Sequence, residues 1–129
     1  MKNEKFAEII SNNCINLVTY RKSGEEVETP VWVIPYENGG LIRTGSNTGK
    51  LKRIKNNSKC TIAPCTNTGK ITGDKIEVIA EISEKFSENP NRKVINKKFR
   101  EKYKLFDFSI GLLRRRTSVS TIKIIPGKN

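Results

Sequence analysis

Apolar residues recur along this chain with two periods, and the switches between them mark out its elements. Phe6, Ile9 and Ile10 fall at helical spacing and predict a short amphipathic helix over residues 3–11. Cys14–Tyr20 predicts a strand, and Arg21–Glu26 a hairpin turn back into an extended run from Val27 to Ile34. Pro30 and Pro35 have no N–H to donate, which puts that run at an edge, at a bulge, or where the backbone leaves its partner. After the turn Glu37-Asn38-Gly39-Gly40, Leu41–Thr44 forms a third strand and residues 49–56 a short helix. Lys59–Thr66, with Pro64 near its end, is a fourth strand, followed by a glycine-marked turn over Thr68–Asp74. Lys75–Glu84 is a fifth, where Ile76, Val78, Ala80 and Ile82 alternate along one face. The period then becomes helical from Pro90 to Lys104, through Val94, Ile95, Phe99 and Tyr103, with a second helical turn over Phe106–Leu113. Thr117–Ile125 alternates again as a sixth strand, ended by Pro126-Gly127.

Short strands joined by hairpins, with helices inserted late, predict a mainly β chain folded as an antiparallel barrel or sandwich. At 129 residues, with no linker and no low-complexity segment, residues 1–129 read as one domain. No apolar run approaches the ~20 residues that span a bilayer, and Met1–Phe6 has no secretory apolar core behind it. The expected location is the cytoplasm.

Charge narrows the partners. Lys and Arg total 25 against 13 Asp and Glu, so the chain carries +12 and attracts anions: nucleic acid, an acidic surface or a polyanionic cofactor. There is no histidine, so no nucleophile–base constellation of the serine-protease kind can be assembled. No catalytic residue can be named, and an organic cofactor is expected to carry any chemistry. Cys60 and Cys65 are placed in one strand on opposite faces, which makes them poor joint metal ligands; with Cys14 they read as small buried thiols. No metal site is expected.

The densest signal lies between Arg43 and Lys59, with six positive residues and no acid. A strand, the turn Gly45-Ser46-Asn47-Thr48-Gly49 and a lysine-flanked helix start can bring together backbone N–H groups, a helix dipole and cations around an anion. A nucleotide-triphosphate P-loop does not fit: only three residues separate the glycines, and leucine follows Lys50. The similar string Thr66–Ile71 sits between two strands and lacks the helix, so it reads as turn chemistry alone. Trp32 reads equally as a core residue or a ring contact. The basic group from Arg92 to Arg116 reads as a solvated helix face, as a nucleic-acid surface without a known signature, or as an attractor for a cofactor's acidic tail.

Taken in order, Thr29-Pro30-Val31-Trp32-Val33, Leu41-Ile42-Arg43-Thr44-Gly45 and Thr48-Gly49-Lys50-Leu51-Lys52-Arg53-Ile54 resemble the pyridoxamine 5'-phosphate oxidase-like split-barrel family. Ala63-Pro64-Cys65, Thr72-Gly73 and Lys102-Tyr103-Lys104-Leu105 fit the same resemblance, closest to its F420-dependent oxidoreductase branch, over roughly residues 5–125. The resemblance implies a six-stranded antiparallel split β-barrel, a homodimer with cofactor sites at the subunit interface. It implies coenzyme F420, a deazaflavin, as first cofactor and FMN as second. It implies hydride transfer to a small conjugated substrate, or cofactor binding without turnover. By position, Val31, Trp32 and Val33 would lie beside the ring, while Thr44, Ser46, Thr48, Gly49 and Lys50, with Arg43 and Lys52, would hold the phosphate. Some relatives carry an arginine where Gly49 stands, so one fixed cation is missing here.

Overall fold

A computed structural model describes residues 2–45, 49–83, 89–103 and 119–127. In chain order its elements are α1 (Lys2–Ile10), β1 (Ile15–Tyr20), β2 (Glu26–Val31), β3 (Val33–Tyr36), β4 (Gly39–Gly45), α2 (Gly49–Asn56), β5 (Lys59–Pro64), β6 (Ile76–Ser83), α3 (Arg92–Lys102) and β7 (Val119–Pro126). The expected helical turn over Phe106–Leu113 lies outside the described residues.

All strand pairs are antiparallel, in one seven-stranded sheet of order β2-β1-β5-β6-β7-β4-β3. The expected count of six is therefore corrected to seven among the described residues. The run from Val27 to Ile34 is two strands with a corner at Trp32: Val31 pairs with Ile15 of β1, whereas Val33 pairs with Ile42 of β4. The prolines show why. Pro30 in β2 and Pro35 in β3 lie on the two edge strands, where a missing N–H breaks no ladder. Because β2 and β3 are joined by a single residue yet form opposite edges, the sheet must curl until its edges meet at Trp32. The result is a barrel closed at that corner and split beyond it.

The interior follows from strand alternation. Ile15, Leu17, Ile42, Ile62, Val78 and Ile122 fill one cluster, and α1 adds Phe6, Ile9 and Ile10 to it. Helix α2 adds Leu51 and Ile54, each contributing roughly 2 kcal/mol by leaving water. A second cluster forms on the outer face of β3 and β4, where Ile34 and Leu41 meet Ile95 and Phe99 of α3 and Tyr103 at its C-terminal cap. Strand β5 stops at Pro64, so Cys65 is not in the strand with Cys60 as expected; it forms an isolated bridge with Ile71 across the following turn.

Candidate functional site

The corner at Trp32 is held from outside by α3. The Tyr103 hydroxyl accepts a hydrogen bond from the Val33 N–H at 2.9 Å and donates one to the Val33 carbonyl at 3.0 Å. The Lys102 ammonium donates to the same carbonyl at 2.6 Å and to the Ile10 carbonyl at 2.8 Å. Burial pushes Lys102 down to about 8, and it pushes Tyr103 up to about 12 against the opposing effect of its bond to the Val33 backbone. The Tyr103 ring stacks on Trp32 with centroids 4.3 Å apart and planes 2° from parallel.

The stack continues toward the basic segment. Phe99 lies 6.2 Å from Tyr103, and the Arg43 guanidinium sits 4.4 Å over the Phe99 ring while donating to Asn96 Oδ1 at 2.7 Å. A guanidinium over an aromatic face is attracted by its quadrupole. The helix α3 thereby ties the corner to β4 through aromatic spacing that reads in sequence only as a core stripe.

The expected phosphate group is divided by strand alternation. Arg43 faces α3, and Thr44 faces the barrel interior, buried opposite Ser120 of β7. Ser46 and Thr48 lie outside the described residues. Gly49, Lys50 and Lys52 all fall in the first turn of α2, where Gly49 and Lys52 are exposed and Lys50 is half-buried. The first turn of α2 has no acidic residue, so nothing on the helix offsets the positive end of its dipole.

Arg53 joins this group without having been expected there. Its Nε donates to the buried Thr19 hydroxyl at 2.6 Å, and its Nη1 lies 2.8 Å from where a Cβ at Gly49 would stand. Desolvation by burial, with a smaller effect from Arg21, holds its pKa below the usual arginine value. A glycine at 49 thus opens the space that Arg53 fills, and a cation returns to the helix start from one turn later. The sequence signal was the spacing of Gly49 and Arg53 by four.

Against the ring expectation, Val31 and Val33 point into the barrel and are buried, while Trp32 alone faces outward, against Tyr103. The N–H and carbonyl of Val33 are both bonded to side chains at the end of α3, those of Lys102 and Tyr103.

No family model and no curated protein matches the sequence. Solved structures do match. HutZ, the heme storage protein of Vibrio cholerae, superposes with a TM-score of 0.64 at 11% identity, covering 100% of this chain and 93% of that one. A provisionally assigned pyridoxamine 5'-phosphate oxidase from Listeria innocua gives 0.62 at 12% identity, covering 98% and 94%. An F420 reductase gives 0.61 at 12%, covering 95% and 94%. Identities this low establish the fold, and the fold is the split barrel of the pyridoxamine 5'-phosphate oxidase-like proteins.

Proposed function

We propose that this split barrel binds the phosphate end of a flavin-type cofactor, coenzyme F420 before FMN, at the start of α2, as a homodimer with its sites at the subunit interface. The observation that carries the reading is the start of α2: its first turn carries Lys50 and Lys52 with no acidic residue, and the Arg53 guanidinium folds back beside Gly49. A phosphate dianion fits that donor set: backbone N–H groups, two ammonium groups and a guanidinium pre-positioned by Thr19. When bound, such a cofactor supplies two-electron hydride transfer. Lys50 and Lys52 attract and hold the anion, and Arg53 orients it from a fixed position. The outward Trp32 presents an aromatic surface, and the barrel wall behind it excludes water.

A second reading, cofactor binding without turnover, is favoured by the state of the corner. The Tyr103 hydroxyl, with its pKa raised to about 12 and both its hydrogen bonds made to Val33, is a poor proton donor. A screen of electron acceptors with the loaded protein separates the two readings.

The direct test titrates coenzyme F420 and FMN separately into purified protein and follows ligand fluorescence. Micromolar affinity is expected, lost at least about ten-fold in Lys50→Glu and several-fold in Arg53→Gln, with melting curves retained. Neither ligand binding, or Lys50→Glu binding as tightly as the wild type, would refute the cradle. Oligonucleotide binding that is steeply salt-dependent and survives Lys50→Ala would instead assign the basic face of α3 to nucleic acid.

A further inference from the structure

Two thiols that the flavin reading does not use lie face to face at one end of the sheet. Cys14 immediately precedes β1 and Cys65 immediately follows β5; the pairing of Ile15 with Pro64 sets them directly opposite each other across the two strands. The Cys65 N–H donates to the Cys14 carbonyl at 3.2 Å, and the two sulfurs are 3.4 Å apart. Residues directly opposite in an antiparallel pair have Cα atoms about 4.5–5.5 Å apart. A disulfide spans Cα separations of about 4.4–6.8 Å. The strands already hold these residues where a disulfide needs them, and closure asks only that the sulfurs approach.

We propose that Cys14 and Cys65 form a redox-active dithiol that closes to an intramolecular disulfide by exchange with a low-molecular-weight disulfide. Cys65, half-buried, meets the oxidant, and Cys14, 4% exposed, resolves it. The Cys65 thiolate attacks one sulfur of the oxidant and the first small thiolate leaves. The Cys14 thiol gives up its proton and attacks the Cys65 sulfur, breaking the mixed disulfide and releasing the second small thiolate. The two protein protons end on two small thiols, the oxidant is reduced by two electrons, and the protein pair is oxidised by two. Cys60 takes no part: it faces the barrel core with Ile62, on the opposite face of β5, and is fully buried.

Two features give the pair its character. Burial, and then the neighbouring Cys14, push the Cys65 thiol well above the usual thiol range, so its thiolate is scarce at neutral pH. Exchange is therefore slow near neutrality and accelerates roughly ten-fold per pH unit, which suits a response to sustained oxidation. The pair also borders the Trp32 corner. Cys14 lies one step beyond Ile15, whose partner is Val31, and a charge on Cys14 raises the pKa of the Tyr103 hydroxyl. Closing the disulfide removes that ionisable thiol from beside the Tyr103 clamp.

The test uses the full-length reduced protein. It is incubated with oxidised glutathione across about pH 7–9, then denatured, alkylated and examined by intact mass and peptide mapping. The expected result is a loss of two hydrogens, alkylation at Cys60 alone, a Cys14–Cys65 cross-linked peptide, reversal by dithiothreitol and a rate rising with pH. In Cys14→Ser the expected product is a stable glutathione adduct on Cys65. If wild type keeps all three thiols alkylatable, accumulates a glutathione adduct without closing, or links Cys60, the proposal is overturned. Those wild-type outcomes decide it even if the serine variant does not fold.

Discussion

Replacing Tyr103 with phenylalanine isolates the polar half of the clamp at the corner. The ring and its stack on Trp32 remain, and one oxygen is lost. That oxygen serves both backbone groups of Val33, but unequally. The carbonyl keeps the Lys102 ammonium at 2.6 Å, so it stays satisfied. The N–H has the Tyr103 oxygen as its acceptor at a fully buried residue. An orphaned buried donor costs about 1–3 kcal/mol, and we take ~2 kcal/mol as the expected loss. For a chain of this length the unfolding entropy is roughly 0.27 kcal/mol/K, so the melting temperature should fall by about 7 °C. Tyr103→Ala also removes a buried aromatic ring and should cost about 5 kcal/mol.

The carbonyl supplies an internal control. Tyr103 and Lys102 back each other up on one oxygen, so removing either leaves it bonded and removing both does not. The double variant Tyr103→Phe/Lys102→Met should therefore lose ~1–2 kcal/mol more than the sum of the singles. Urea unfolding followed by the emission of the single tryptophan reads all four proteins. A Tyr103→Phe protein melting within about 1 °C of wild type, or a double variant that is simply additive, refutes the clamp.

Lys102 also carries a pH signature. Its folded pKa of about 8 lies below the ordinary 10.5, so between those values the unfolded chain binds more protons and stability rises with pH. Tyr103, Cys60 and Cys65 are shifted upward and pull the opposite way above about pH 9, so the clean readout is wild type minus Lys102→Met. That difference in urea midpoint should move in favour of wild type from about pH 8 to 10; a flat difference rules the shift out. Gly39→Ala should be severe, because its Cβ would stand 2.2 Å from the Ile124 carbonyl oxygen in the neighbouring strand β7. We expect a loss of about 3 kcal/mol in chemical denaturation. Gly24→Ala meets nothing within 4 Å and has only its φ of 90° to strain, so ~1 kcal/mol is expected there. Equal costs for the two glycines would contradict the packing at β4–β7.

Local pattern carried most of the architecture. The short helix expected over residues 49–56 is α2, and the every-second-residue run through Val78 and Ala80 is β6, because each buries one face of one element. The corner at Trp32 was hidden from the same logic. Val31 and Val33 both face the interior on either side of it, so the alternation runs through without a break although the strand's neighbour changes. Only the two prolines registered the event, since they mark edges and not faces. Phe99 and Tyr103 were legible as buried residues four apart, but the reach of the Tyr103 hydroxyl back to Val33 spans 70 positions, and no window contains it. Arg43 and Thr44 illustrate the converse: adjacent in the motif, they diverge by strand geometry, and the motif's order concealed that.

The same corner limits what the candidate site can draw on. A closed barrel leaves its strands no unpaired backbone, whereas this sheet has two edges, joined through one residue. Where the edges meet, the Val33 N–H would lack a partner unless a side chain or a ligand took it. Here Tyr103 takes it, and Lys102 shares the carbonyl. A ring carrier at Trp32 therefore cannot draw on those two groups while α3 stays in place, and on the proposed reading its affinity rests mainly on the cations of α2. Two variants separate these contributions. Lys50→Glu should abolish most binding, whereas Tyr103→Phe, which frees the Val33 N–H, should leave affinity unchanged or raise it. A large loss of affinity in folded Tyr103→Phe would place the cofactor's main contacts at α3 and overturn the assignment to α2.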